Sequence, residues 1–524
     1  MPAKPMHRVV LLSRHATPES SGFLYEAFKS MRSVQPESAF RALGSRGAAR
    51  GIAAAEASGA APKVGAAQIP MRVIDSIHED KAKLVEIDDE GLELLRRSQP
   101  GLKVVPEVFY TTARFMPEIS SPSITRRTAR AASRTPRAKA SLTVTVVCRT
   151  DGKPVADATV YAFTDVLNLI GEKARTKAGG KAKLALKSGT TAKLLLVYCD
   201  HTYWGLYQID TKLSDGDRIA VEPIDFSAPD AVRHFYPASN RAPGRGVKVG
   251  IVDTGIAMGR ADLPVAGGEC TVVDEDPADF GDFGGRHGTH CAGIVGARAS
   301  APNGFPGVAP GVELFSYRVF PKMPAKQEAS NFSIAKAIDR AVIAGCDIIN
   351  LSLGGGPSDD ATRGAIDDAR EAGVLCVCAA GNKGRAPVSF PASYGYSIAV
   401  SAIGRKGAFP NDSCETFDVA SPFGTDRKDF VARFSNIGPE IKLAGPGVGV
   451  VSTVPEGWGV MSGTSMACPA VAGAAAALLA ANPGIMQLGR NAQRRDAIAG
   501  LLLQSARSLG LGLTFEGSGI PVVP

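Results

Sequence analysis

The sequence has few cysteines and no long apolar segment, and both shortages limit what the protein can be. Nine cysteines in 524 residues is a sparse and odd number, which favours reduced thiols over a disulfide framework. The longest run without charged or strongly polar residues, residues 467–481, is mostly alanine. It is shorter than the about 20 residues that a membrane-spanning helix needs. The sequence therefore predicts neither a membrane protein nor a disulfide-stabilised domain.

The N-terminus and the charge distribution argue against two further classes. Residues 1–12 hold only a short apolar stretch, whereas a secretory signal needs a longer one and a small-residue cleavage site. We therefore expect a cytoplasmic location, with export by a non-standard route as the alternative. The chain has 59 basic and 51 acidic residues, a net charge of +8, but the excess is concentrated at 126–139. A nucleic-acid-binding face needs basic residues spread over a folded surface, so no nucleic-acid partner is expected.

Hydrophobic residues make up 44% of the chain and charged residues 21%, which is typical of a soluble globular protein. The length predicts about three or four domains. Residues 1–112 follow the order strand, helix, strand, strand, helix, strand, with helices at 23–31 and 89–95 and a last strand at 102–110. This is the split βαβ, or ferredoxin-like, α+β pattern. Residues 113–139 are predicted to be a basic linker, with a basic binding patch as the alternative.

The two remaining segments differ in their periodicity. Residues 140–223 contain short alternating strands separated by turn residues, which predicts a small β-sandwich. In residues 224–524, apolar strands alternate with helices, so we expect an α/β fold with a parallel sheet covered by helices on both faces. In such sheets, functional sites lie beyond the carboxyl ends of the strands.

Three short segments of the last unit place a polar residue beside glycine at this end of the sheet. Asp253 follows a buried strand, His287 opens an apolar helix, and Ser465 opens the alanine-rich helix. A serine becomes a nucleophile when a base accepts its proton. A histidine acts as that base when a carboxylate orients it and stabilises the imidazolium. The chain order Asp, His, Ser is one of the known orders of such a triad.

Each residue alone has a simpler interpretation. Asp253 and Ser465 could cap helices, and Asn382 could be a turn residue. His287 and His290 are three residues apart and could bind a metal ion, but the His-Glu-x-x-His pattern and a third ligand are absent from the sequence. His290 is therefore expected to be structural. The simpler interpretations do not explain why all these segments follow one another on one sheet.

Residues 224–524 resemble the subtilisin family of serine proteases. The matching segments are Val252-Asp253-Thr-Gly, Arg286-His-Gly-Thr-His-Cys-Ala-Gly, Asn350-Leu-Ser-Leu-Gly-Gly, Ala379-Ala-Gly-Asn, Phe434-Ser-Asn-Ile-Gly-Pro and Gly463-Thr-Ser-Met-Ala.

The resemblance implies a serine endopeptidase that acts on proteins or peptides. Asp253 would orient the base His287, Ser465 would be the nucleophile, and Asn382 would donate to the oxyanion. Ser352, Leu353 and Gly354 would line the substrate groove. No metal ion is expected in the chemistry. The acidic residues at 274–282 leave a structural calcium ion open.

The first unit resembles the family's propeptide inhibitor, so the chain is expected to be a self-inhibited zymogen that is cleaved between residues 110 and 140. Two departures stand out. The predicted sandwich lies between propeptide and catalytic unit, which are usually joined directly, and residues 406–433 are longer than usual and are expected to shape the groove. The sandwich could instead tether the enzyme to a partner, or the protease could stay permanently covered by its first domain. Cys291 resembles the free thiol beside the catalytic histidine in some members of the family.

Overall fold

The computed structural model describes residues 5–13, 71–98, 102–113, 141–238, 242–299, 302–322 and 328–524. The helix predicted at 23–31 and nearly all of the basic linker lie outside these ranges. Within them, each helix is too short or too polar to cross a membrane.

The N-terminal unit contains a four-stranded antiparallel sheet in the order β2-β3-β1-β4. Its side chains alternate between two faces, as expected for strands. Val9 and Leu11 pack with Leu95 of the helix on one face. From the other face, Val10 packs on residues 224–524, which are called the catalytic unit below after the resemblance that they carry. The strand order fits the ferredoxin-like prediction, which also needs the helix outside the described residues. The elements are β1 (Met6–Ser13), β2 (Met71–Ser76), β3 (Lys83–Asp88), α1 (Asp89–Ser98) and β4 (Leu102–Pro106).

The strand predicted at 102–110 is wrong as one element. It divides into β4 and a separate strand, β5 (Phe109–Thr112). Strand β4 pairs with β1, whereas β5 leaves this sheet and pairs with two short strands of the catalytic unit. Pro106, the last residue of β4, has no N–H group to continue a ladder.

Residues 142–221 form two sheets that share one core. The first has the order β11-β10-β7-β8 and the second β12-β6-β9. Leu142 and Val144 of one sheet pack against Val160 and Leu195 of the other, which is the arrangement of a β-sandwich. The strands are β6 (Leu142–Cys148), β7 (Ala158–Asp165), β8 (Ile170–Arg175), β9 (Lys181–Leu184), β10 (Thr190–Cys199), β11 (Leu206–Leu213) and β12 (Arg218–Val221).

The sandwich packs tightly on the catalytic unit. The Cys414 thiol donates to the backbone carbonyls of Val197 and Leu206, at 3.3 and 3.1 Å. The Tyr207 N–H donates to the Asp412 carbonyl at 2.7 Å. In this structure the part of segment 406–433 around residues 412–417 therefore contacts the sandwich.

The catalytic unit is an α/β fold built on one large sheet, which confirms the predicted class. The order is β14-β15-β13-β17-β19-β20-β21, with β22 also paired to β20, and only β21 runs antiparallel to its neighbour. Helices α3 and α6 contribute to the core on one face, and α4 and α5 to the core on the other.

The elements of the first half of this unit are α2 (Ala231–Phe235), β13 (Lys248–Asp253), β14 (Val265–Cys270), α3 (His287–Gly296), β15 (Glu313–Arg318), β16 (Ala329–Ser330), α4 (Asn331–Ile343), β17 (Ile348–Leu351), β18 (Leu353–Gly354), α5 (Asp360–Glu371) and β19 (Leu375–Ala379). Those of the second half are β20 (Ile398–Arg405), a 3-10 helix (Cys414–Asp418), β21 (Asp429–Val431), β22 (Ile441–Pro446), β23 (Val450–Val454), β24 (Gly457–Met461), α6 (Thr464–Ala480), α7 (Pro483–Met486), α8 (Ala492–Gln504), β25 (Ala506–Arg507), α9 (Leu513–Glu516) and β26 (Ile520–Pro521).

Candidate active site

Asp253 ends the buried strand β13 and lies against the first turn of α3. It is buried, and its Oδ1 atom is 2.7 Å from the Nδ1 atom of His287. The Thr254 hydroxyl oxygen accepts from the Gly288 N–H at 2.9 Å, which caps α3 from the Asp253 loop. A Cβ atom on Gly288 would lie 2.3 Å from the Gly255 carbonyl oxygen. Glycine therefore allows the close approach that brings the carboxylate to the imidazole.

His287 is the first residue of α3 and is buried. With Nδ1 directed at Asp253, its Nε2 atom has no hydrogen-bond partner within the described part of the chain. An imidazole held by a carboxylate on one nitrogen can accept a proton on the other. His290 is different, because its Nε2 atom lies 3.1 and 3.2 Å from the carbonyls of Val450 and Gly459. Those contacts tie α3 to the hairpin β23–β24.

Ser465 is the second residue of α6 and is buried. Its hydroxyl donates to the Ser352 carbonyl at 2.9 Å. Cys291 lies between Ser465 and His287 and contacts both. Its sulfur is 3.9 Å from His287 Nδ1, and its thiol donates to the Ser465 carbonyl at 3.4 Å. The structure therefore brings Asp253, His287 and Ser465 into one site, with the serine hydroxyl turned towards Ser352.

Asn382 follows β19, and hydrogen bonds to its amide oxygen fix the orientation of its side chain. That Oδ1 atom accepts from the N–H and the hydroxyl of Thr464, at 2.9 and 2.8 Å. The orientation leaves Nδ2 free to donate, and its acceptor is the carbonyl oxygen of Ala113. The Ser465 N–H donates to the same oxygen at 3.2 Å. Two fixed donors thus converge on one carbonyl, which is the geometry of an oxyanion hole.

Strand β5 explains why Ala113 is there. It lies between β16 and β18 in a three-stranded antiparallel sheet, with Tyr110 opposite Ala329, and Thr112 opposite Leu353. The Ala113 N–H continues the pairing by donating to the Ser352 carbonyl at 3.2 Å. The structure therefore places Ser352, Leu353 and Gly354 along an extended peptide supplied by the chain itself.

Sequence analysis missed two parts of this arrangement. The second wall of the groove, Ala329 and Ser330, was not singled out, because a two-residue strand has no periodicity to detect. The residue at the oxyanion position, Ala113, was assigned to the linker. The residues Thr111-Thr-Ala113, which are small and uncharged, are a local signal of a peptide that fits a groove.

All nine cysteines are buried and unpaired. Burial raises the pKa of the Cys291 thiol well above its ordinary value, and the negative charge of Asp253 adds to the effect. Burial likewise raises the pKa of Cys468. Both thiols are therefore neutral at physiological pH, and neither is activated as a nucleophile or as a thiolate ligand.

The acidic loop before His287 is largely engaged by the protein's own donors. Glu275 lies 2.5 Å from the buried Arg318 guanidinium, and Asp279 pairs with Lys322. Asp282 accepts from the Arg286 N–H at 3.1 Å and from the Thr289 hydroxyl. Burial raises the pKa of Asp282, and these hydrogen bonds oppose the rise. The loop thus fastens the start of α3.

Comparison with known proteins places this site in a family. The model of the subtilase family matches residues 244–519, more than half of the chain. Subtilisin Savinase of Lederbergia lenta is 37% identical over 286 residues, which cover 54% of this chain and 91% of that protein. Subtilisin DY of Bacillus licheniformis is 37% identical over 245 residues, 46% of this chain and 79% of that protein.

Subtilisin NAT of Bacillus subtilis subsp. natto is 35% identical over 260 residues, which cover 49% of this chain and 60% of that protein. The chain therefore belongs to the subtilase family. It is a subtilisin-like serine endopeptidase, and its N-terminal unit and sandwich lie outside the residues that the family model matches.

Proposed function

We propose that this chain is the self-inhibited precursor of a serine endopeptidase that cleaves its own bond between Ala113 and Arg114. One observation carries the proposal. The Ala113 carbonyl oxygen accepts from both Asn382 and the Ser465 N–H, so this carbonyl occupies the position of the one that is attacked in a substrate.

The chemistry follows from the side chains around that carbonyl. The Ser465 hydroxyl turns from Ser352 to His287, which takes its proton as the oxygen attacks the carbonyl carbon. Asp253 stabilises the imidazolium that forms. Asn382 and the Ser465 N–H stabilise the negative oxygen of the tetrahedral intermediate. His287 then gives its proton to the departing amine, and water releases the acyl group by the same route. No metal ion or cofactor takes part in these steps.

Self-inhibition follows from how the first unit is fastened. Its sheet buries Val10, Leu84 and Val105 against Phe332 and Ala361 of the catalytic unit. The Lys336 ammonium lies 2.8 Å from Asp75, and His78 lies 2.7 Å from Asp339. After cleavage these contacts persist, so residues 109–113 stay in the groove as a bound product and exclude other peptides. Degradation or release of the first unit frees the site for protein and peptide substrates.

The sandwich is expected to remain with the mature enzyme. Trp204 packs in the same core as Val454 and Trp458 of the catalytic unit, and the Cys414 thiol is bonded to two sandwich carbonyls. Cleavage after Ala113 leaves residues 114–140 attached to the sandwich. The mature protein therefore begins at Arg114.

N-terminal sequencing and intact-mass analysis of the full chain, purified beside its Ser465→Ala variant, test the proposal. Wild-type protein should separate into two fragments with Arg114 at the new N-terminus, and the Ser465→Ala chain should stay whole. Ser462→Ala is the matched control, since Ser462 lies three residues before Ser465, outside α6, and its hydroxyl oxygen accepts from the Gly449 N–H at 3.0 Å. It should process normally. An active enzyme that keeps an uncut chain would contradict the proposal.

A further inference from the structure

Tyr110 is fully buried in the groove, four positions from the proposed cleavage site when Ala113 is counted as the first. Its ring lies over Gly356, where an added Cβ atom would come within 2.8 Å of the ring's Cε1 atom. The missing side chain at Gly356 therefore makes room for an aromatic ring. The neighbouring Phe109, by contrast, is 46% exposed.

The closed end of this pocket is polar. The Tyr110 hydroxyl oxygen lies 2.5 Å from Asp359 Oδ2 and 3.0 Å from the Pro357 carbonyl oxygen. Both neighbours are acceptors, so the hydroxyl must donate. Burial and the Asp359 charge raise the pKa of Tyr110 far above its usual value, which keeps its proton in place.

Asp359 is held in position by contacts that do not involve Tyr110. Its Oδ1 atom accepts from the Thr362 N–H at 2.8 Å, where it caps α5, and from Asn331 Nδ2 at 3.2 Å. Its backbone N–H donates to the Tyr394 hydroxyl at 2.8 Å. The residue is buried. Its Oδ2 atom therefore points into the pocket as a fixed acceptor before any peptide arrives.

We propose that Asp359 makes this endopeptidase select tyrosine at the fourth position before the bond that it cleaves. The inference rests on the proposed function, because it takes Tyr110 to occupy the pocket as a substrate residue does. Phenylalanine would fill the same space but leave a buried carboxylate oxygen without its donor. Sites built to receive a hydroxyl discriminate strongly against the analogue that lacks it, and a hydrogen bond to a charged group corresponds to about 10- to 100-fold in rate.

The test uses enzyme obtained by expressing the full chain, with its active sites titrated. The substrates are acetylated peptides Xaa-Thr-Thr-Ala with a chromogenic leaving group, in which Xaa is tyrosine, phenylalanine, leucine or arginine. Wild-type kcat/KM should be about 10- to 100-fold higher for tyrosine than for phenylalanine. A ratio near one, or faster cleavage of the arginine peptide through an ion pair with Asp359, would overturn the inference without any variant.

Asp359→Ser keeps a helix-capping hydroxyl but is too short to reach the tyrosine, so the ratio should fall to within about threefold of one. Asp360→Ser is the matched control. Asp360 adjoins Asp359 but pairs with Lys103 and Arg363 at the surface, so its replacement should leave the ratio unchanged. A full tyrosine preference in Asp359→Ser would also overturn the inference. If none of the peptides is cleaved while casein hydrolysis depends on Ser465, the proposed cleavage after Ala113 fails as well.

Discussion

Replacing Asn382 tests the most specific part of the proposed mechanism, the stabilisation of negative charge on the scissile carbonyl. In Asn382→Ala, the Ala113 oxygen keeps only one of its two donors, the Ser465 N–H at 3.2 Å. Loss of one such donor raises the activation free energy by about 2.7–4 kcal/mol, or about 100- to 1,000-fold in kcat. KM should change little, because the hydrogen bond strengthens mainly as charge develops in the transition state.

The same substitution also has a structural cost that must be separated from catalysis. It deprives the Thr464 N–H and hydroxyl of their shared acceptor. Asn436→Ser is a suitable control, since Asn436 is a buried asparagine that bonds to the backbone nearby, for example to the Ala380 carbonyl at 3.2 Å and to the Lys383 N–H at 2.7 Å. It should lower stability but leave kcat within about threefold.

The assay is hydrolysis of an alanyl chromogenic peptide by titrated enzyme, together with the rate of self-processing of the full chain. Asn382→Asp should be slower still than Asn382→Ala, because it places a negative oxygen where the developing charge needs a donor. A kcat for Asn382→Ala within threefold of wild type would refute the assignment. So would a loss confined to KM.

Three further predictions concern the surroundings of the site. Asp200→Asn should lower the unfolding midpoint of the Ser465→Ala protein, because the Asp200 carboxylate of the sandwich lies 2.6 Å from Arg286. A charged hydrogen bond contributes about 1.5–3 kcal/mol to the free energy of unfolding. An unchanged midpoint would contradict this prediction. Burial, with the charge of Glu415 adding to it, raises the pKa of Asp418 well above its ordinary value. The folded chain therefore keeps a proton on Asp418 at pH values above about 4, where the unfolded chain releases it. As a result, Asp418 destabilises the fold increasingly as the pH rises above about 4. Asp418→Asn should therefore raise the unfolding midpoint at pH 8 but not at pH 3, and a lower midpoint at pH 8 would be the contrary result. A mercurial bound to Cys291, whose sulfur is 3.9 Å from His287 Nδ1, should inhibit peptide hydrolysis by displacing the imidazole. The Cys291→Val variant with Cys468 also replaced should resist the mercurial. Retained sensitivity of this variant would count against inhibition through Cys291.

The contacts of the sandwich change how its role should be examined. A tether could be deleted without harm to the cleavage of small peptides. Here deletion would remove Trp204 from the core that it shares with Val454 and Trp458, and would leave the Cys414 thiol without its two acceptors. It would also remove the Asp200 partner of Arg286, the residue before His287. Loss of activity after deletion would then report disrupted packing, so single substitutions such as Asp200→Asn are the sharper test.

The sequence alone was sufficient for the class of fold and the family. Buried strands alternate with helices over 224–524, and this local periodicity predicts a parallel sheet wherever it occurs. Asp253, His287 and Ser465 each lie beside glycine or small residues at the start or end of an element. Because the carboxyl ends of parallel strands meet at one edge, such positions can be expected to converge without knowing any distance.

Only the tertiary structure decided which strand pairs with which. Residues 102–112 are rich in strand-forming residues apart from Pro106, which is a local sign of a break. Because β propensity does not specify a partner, the pairing of β5 with β16 and β18 could not be deduced. Tyr110 and Asp359 are 249 positions apart, and nothing local to either residue indicates the other. The contact exists because β5 is held between β16 and β18, and this pairing depends on the folded catalytic unit rather than on the segment itself.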